Sequence, residues 1–286
     1  MKLLYFEFKK NFFKPYVIWL ILACTLVNTI GIYLSTSYVK QTYSHEAFQM
    51  IYNTKLKGEL TEEKVNYVIS ETERLTKLTE ERTASHEYDP DTITGTIYGD
   101  KFFFSMDVYP EVKYAYSYYF TNNQIVEKAK NNIDYYSEKN NPFELRRNEA
   151  IYSLYKDRII ENFYDLRGMR YYISYDFSSL IVLLLCVLII TPVFVAEKET
   201  RMDQLLPSYK KGGIKLIWIK ILFTFIVVLL LSLWFSLCDL IGFSIFMPLH
   251  DFSAPVFALK DFQFTPLNIQ FSQYLFLSFV CKLIGF

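Results

Sequence analysis

The amino-acid sequence predicts an all-α polytopic membrane protein, a transmembrane helix bundle with a large, mainly helical extracellular insertion between its first and second spans. Apolar windows without charge occupy Pro15 to Val39, Phe177 to Ala196 and Ile221 to Cys238. The chain has 286 residues, 52% hydrophobic and 19% aromatic, more apolar and more aromatic than an ordinary soluble domain of that length. Formal charge balances at zero, so no net field points to nucleic acid or another polyanion, yet basic residues gather beside the apolar windows.

Taken in chain order, residues 1–14 form a basic, amphipathic N-terminus carrying Lys2, Lys9, Lys10 and Lys14 against Glu7. Residues 15–39 follow as the first span; about 20 apolar residues rising about 1.5 Å each cross a hydrocarbon core. A secretory signal has a similar order of parts, but this apolar stretch is 25 residues long, beyond the usual range of about 7 to 15, and no small-x-small cleavage site follows it. An uncleaved anchor is therefore expected.

Residues 40–176 are the outer insertion, with 18 basic and 23 acidic residues, a net of minus five. Thr61, followed by Glu62 and Glu63, reads as a helix start, and Val65, Val68, Ile69, Leu75 and Leu78 make its apolar stripe. Asn141-Pro142 is a second start signal, with Leu145, Ile151, Leu154, Tyr155, Ile159 and Phe163 behind it. Thr92 to Tyr98 and Lys101 to Phe104 flank Gly99-Asp100 and predict a short hairpin. Two readings are open for the aromatic run Tyr109 to Phe120 and for Tyr171-Tyr172: packing against helices or lipid headgroups, and a ligand-binding surface.

Residues 177–196 form the second span, where Leu180 to Ile190 offers no polar face to solvent. Residues 197–213 form an internal loop and residues 214–247 the third span. From Glu197 to Lys220 six basic residues oppose three acidic ones, which places this loop and the N-terminus in the cytoplasm and the insertion outside. Residues 248–268 hold three prolines and read as a surface or partly re-entrant connection. Residues 269–286 read as the start of a fourth span, with further spans expected beyond it. Cys24, Cys186, Cys238 and Cys281 all fall in apolar stretches, so no disulfide framework is expected in the insertion.

Lys220 and Asp239 are charged residues in or near the apolar part of the third span. Lys220 can snorkel to the interface, while Asp239 has two readings, one at the outer boundary and one lining a cavity with Asn28 and Thr29 of the first span as part of a translocation path. No G-x-x-x-x-G-K-[ST] phosphate cradle, H-E-x-x-H pair or G-x-S-x-G elbow occurs, so no catalytic, metal or cofactor site is expected.

The loop between spans two and three, E-K-E-T-R-M-D-Q-L-L-P-S-Y-K-K-G-G-I-K-L-I-W-I-K, resembles the corresponding stretch of ABC-2 type permease subunits. In that pattern an acidic residue closes span two, a Leu-Leu-x-Ser or Thr element and a basic-Gly turn follow, and a Lys begins span three. Glu197, Glu199, Leu205, Leu206, Ser208, Lys211, Gly212 and Lys220 occupy those places, whereas Pro207 and the lack of a Gly after Glu199 depart from it. The resemblance implies a bacterial exporter permease in the cell membrane without its own ATPase site. It would dock a separate ABC ATPase subunit through Glu197, Glu199, Leu205, Leu206, Ser208, Lys211 and Gly212, pair with a second permease copy or paralogue, and move peptide, antibiotic or lipid-like substrates. A membrane-anchored extracellular sensor or interaction protein is the alternative from another class.

Overall fold

The computed structural model describes residues 2–42, 45–81, 88–199, 213–247 and 249–285. It is an all-α fold whose only sheet, among the described residues, is a two-stranded ribbon. The chain divides into two compact units: Met1–Tyr38 with Arg167–Leu249 and Ser272–Phe286, and Val39–Leu166 with His250–Phe271.

The first unit begins with α1 (Lys2–Glu7), a π-helical turn (Phe8–Phe12) and α2 (Pro15–Thr42). It continues through α8 (Arg167–Ser174), α9 (Phe177–Glu199), α10 (Gly213–Phe246) and α11 (Phe271–Gly285). Among the described residues three helical stretches are long and apolar enough to cross a membrane: Pro15–Tyr38, Arg167–Val195 and Lys215–Phe246. The apolar helix α11 has 15 residues, short of the span length of about 20. Leu185, Val193, Phe223, Val227, Leu231 and Phe235 bury one side of α9 and α10 against each other, and Phe8 sets its ring edge-on to Phe223 at 4.8 Å. Their other sides expose Leu184, Val187, Ile217, Trp218, Phe225 and Ile245, where a helix packed in water would carry polar side chains.

Side-chain pairs set the helix directions. Thr25 meets Trp234, Asn28 meets Asp239, and a Cβ on Gly242 would lie 2.9 Å from Ile32, so positions advance together and α2 and α10 run parallel. Lys220 reaches Val193 while Asp239 bonds Ser178, so α9 runs antiparallel to α10. Pro192 removes a backbone donor from α9, and Lys220 Nζ donates to the nearby Val193 carbonyl at 2.9 Å. Lys220 is buried, with its ammonium on a carbonyl of the neighbouring helix.

In the second unit α3 (His45–Ile51) and a π-helical turn (Tyr52–Leu56) lead to β1 (Gly58–Glu59), which pairs antiparallel with β2 (Asn162–Phe163). The helices α4 (Glu62–Glu81) and α7 (Pro142–Tyr155) begin where their start signals stand, and α6 (Tyr109–Glu138) carries the aromatic run in its first three turns. Thr61 accepts from Lys64 N at 3.5 Å and Asn141 from Glu144 N at 3.3 Å. Val65, Val68 and Leu75 are buried as the stripe on α4 requires.

Two expectations are corrected here. The predicted hairpin at Gly99-Asp100 is a helix, α5 (Ile97–Phe103), capped by Thr96. The buried Asp100 carboxylate takes the Ile93 and Thr94 amides at 3.0 and 2.7 Å and so binds the preceding loop onto the helix. The stripe expected on α7 stops at Tyr155, leaving Ile159 exposed and Phe163 in β2; Asn122 Nδ2 holds the Tyr155 and Arg158 carbonyls where the chain turns away. From His250 onward, the stretch expected as a surface or partly re-entrant connection packs within this unit. Ala254, Val256 and Leu259 are buried, Phe257 stacks on Tyr118, and Arg158 NH2 donates to the Thr265 carbonyl at 2.8 Å.

Candidate functional site

A helix of apolar residues that must bury a carboxylate needs donors from its neighbours, because an unpaired charge in a low-dielectric interior is costly. Asp239 of α10 is 7% exposed and Asn28 of α2 is fully buried, and Asn28 Nδ2 donates to Asp239 Oδ1 at 2.6 Å. Tyr175, between α8 and α9, donates its hydroxyl to Asn28 Oδ1 at 3.0 Å. Ser178, in the first turn of α9, adds a hydroxyl within hydrogen-bonding reach of the Asp239 carboxylate. Three helices thus converge on one acid, and the amide of Asn28 is oriented by having a donor on its oxygen and an acceptor on its nitrogen.

Beside this cluster lies a cavity of about 80 Å³. Asp239, Ser236 and Ser278 line it with oxygens, and Tyr172, Tyr175, Tyr274 and Phe279 with rings. Lys282 of α11 also borders it but is engaged by Asp176, with Nζ 3.0 Å from Oδ1, and Ser179 donates to the same oxygen. Among the described residues no cation lies within ion-pair distance of Asp239, and no group of three or more His, Cys, Asp and Glu side chains gathers as metal ligands.

Of the three residues placed on a translocation path, the structure joins Asn28 and Asp239 and leaves Thr29 apart, exposed, with its hydroxyl on the Thr25 carbonyl of its own helix. Glu197 and Glu199 fall in the last turn of α9. The remaining docking candidates, Leu205, Leu206, Ser208, Lys211 and Gly212, lie outside the described residues. Tyr175, Ser178 and Lys282 escaped sequence reading. Each is a polar residue at an edge of an apolar stretch, where position along the chain gives no sign of a partner on another helix.

The second unit has a groove of its own, about 400 Å³, between α4 and α6. Val65, Ile69, Tyr116 and Phe120 supply apolar walls, and Glu62 and Lys113 add opposite charges, with the Lys113 ammonium over the Tyr109 ring at 5.3 Å. The aromatic run therefore serves two ends. Tyr114 and Tyr118 are buried in packing, with the Tyr114 hydroxyl on the Phe257 carbonyl at 2.7 Å, while Tyr116 and Phe120 face the groove.

No protein-family model, curated protein or solved structure matches the chain.

Proposed function

We propose that this chain is the membrane-spanning permease subunit of an ATP-driven ABC transporter, an exporter of peptide, antibiotic or lipid-like substrates. The observation that carries this reading is the up, down, up run of α2, α9 and α10 around a buried Asn28–Asp239 pair. Helices of span length that alternate in direction suit a polytopic bundle, and a polar pair inside them suits a path, since intramembrane polar groups tend to face the bundle interior. The basic flanks favour a cytoplasmic N-terminus in a cell membrane and an extracellular second unit. ATP hydrolysis falls to a partner subunit docked at the end of α9 and the loop after it, beside a second permease copy or paralogue. Closure of the partners would then bias the bundle between inward and outward states.

Affinity purification of the full chain from membranes in mild detergent tests this. An ATPase is expected to co-purify, and Glu197→Ala or Glu199→Ala is expected to release most of it. Retention by both variants removes the docking assignment, and absence of any ATPase removes the transporter reading.

The groove between α4 and α6 favours a second reading, a membrane-anchored extracellular sensor or interaction protein. Its volume lies in the range of small-molecule sites, and its walls are apolar and aromatic with few polar groups. Saturable ligand binding by a chain that recruits no ATPase would support it.

A further inference from the structure

The cavity beside Asp239 combines one carboxylate, two serine hydroxyls and the rings of Tyr172, Tyr175, Tyr274 and Phe279. The hydrogen bonds to Asp239 come from an amide and a hydroxyl, both neutral, and among the described residues Lys282 acts on it only from beyond ion-pair distance. Lys282 also lines the cavity, but its ammonium is paired with Asp176 at 3.0 Å. Carboxylate oxygens and ring faces both attract a cation, the first by charge and the second by the quadrupole of the ring. The hydroxyls of Ser236 and Ser278 add acceptors for N–H donors.

We propose that this cavity receives a primary ammonium group carried on an apolar chain. The ammonium would donate to Asp239 and the serine hydroxyls, and its first methylene groups would lie against the rings. A volume of about 80 Å³ suits such a head group with its first carbons and leaves the rest of the molecule along the apolar helices. A divalent metal ion is the poorer fit, since among the described residues no second acidic, His or Cys ligand joins Asp239 in a metal-binding group. As a statement about a transported substrate this rests on the permease reading; as a binding event it does not, and it is tested without the ATPase.

The test is calorimetric titration of the purified full chain, in detergent or nanodiscs, with n-butylammonium chloride, n-butanol, sodium butyrate and sodium chloride. Saturable binding of n-butylammonium is expected, with none from the other three. Asp239→Asn keeps an acceptor for Asn28 and removes the charge, and it is expected to weaken binding about ten-fold or more. Phe279→Leu keeps the charge and removes one ring, and it is expected to weaken binding about three-fold. Thermal unfolding of both variants confirms that each is folded. Equal heats from n-butanol, competition by sodium at the same concentration, or unchanged affinity in folded Asp239→Asn would each overturn the proposal, the last by making Asp239 a neutral structural acid. Loss of ATPase co-purification with butylammonium binding intact would remove transport and leave the site.

Discussion

Asn28 has one amide oxygen and one amide nitrogen, and both are committed, the first to Tyr175 and the second to Asp239. Replacing it with Leu keeps the branching at Cγ but strips a donor from a buried carboxylate and one of two acceptors from the half-buried Tyr175 phenol, which also donates to the Asn28 backbone carbonyl at 3.3 Å. The cost is the desolvation of the abandoned groups rather than the strength of a single bond. Leaving a buried polar group unsatisfied costs about 1–3 kcal/mol, so Asn28→Leu is expected to destabilise by about 2 kcal/mol. A lowered thermal midpoint of the purified chain checks this, and Asn28→Gln, which keeps the amide, is expected to lose less. Thr29, one residue on, serves as the control: it is exposed and bonds only its own helix, so Thr29→Val is expected to leave the midpoint unchanged.

The joint between α6 and α7 shows how few residues fix an element boundary. Asn140 takes a left-handed φ of 54°, which Asn tolerates and β-branched residues do not. The next residue, Asn141, caps α7, and Pro142 supplies a first-turn φ suited to a helix start. Asn132 Nδ2 then donates to Asn148 Oδ1 at 3.0 Å and ties the paired helices together. Asn140→Val is expected to cost about 1–2 kcal/mol while Asn140→Gly is tolerated, read as the loss or retention of hydrogen-exchange protection across α6 and α7.

At the scale of the whole molecule the two units bury different chemistry, and each answers to a different perturbation. The second unit buries phenols: desolvation raises Tyr52, Tyr114 and Tyr118 above the ordinary tyrosine range, and the carboxylate of Asp251 beside Tyr52 raises it further. The fold thus favours the neutral phenol, so the contribution of these groups is complete below the unfolded tyrosine pKa of about 10 and falls as pH rises through their folded values. Alkaline titration of the full chain is expected to show these tyrosines ionising together with loss of the second unit's helicity, followed by tyrosinate absorbance and circular dichroism. The first unit buries helices whose outer faces are apolar, and the proposed threading of these helices through a membrane is tested from outside the cell. In a background without native cysteines, Glu80→Cys is expected to react with a membrane-impermeant thiol reagent on intact cells, and Lys211→Cys only after permeabilisation. Labelling of both from one side would end the threading and the transport reading with it.

The sequence alone determined the apolar stretches that become α2, α9 and α10, and it marked the starts of α4 and α7, because hydrophobic length and capping chemistry act within a few residues of the chain. It named Asn28 and Asp239 as unusual, since a polar residue in an apolar helix stands out wherever its partner lies. Only the tertiary structure decided that they bond each other across 211 positions, that Tyr175 and Ser178 complete the cluster, and that Thr29 does not. It also decided that Asp100 folds a loop back onto a helix where local turn signals read as a hairpin, and that the proline-rich stretch from His250 belongs to the second unit. These outcomes depend on which groups meet through space, and a buried donor or acceptor can be satisfied by any segment the fold brings within about 3 Å.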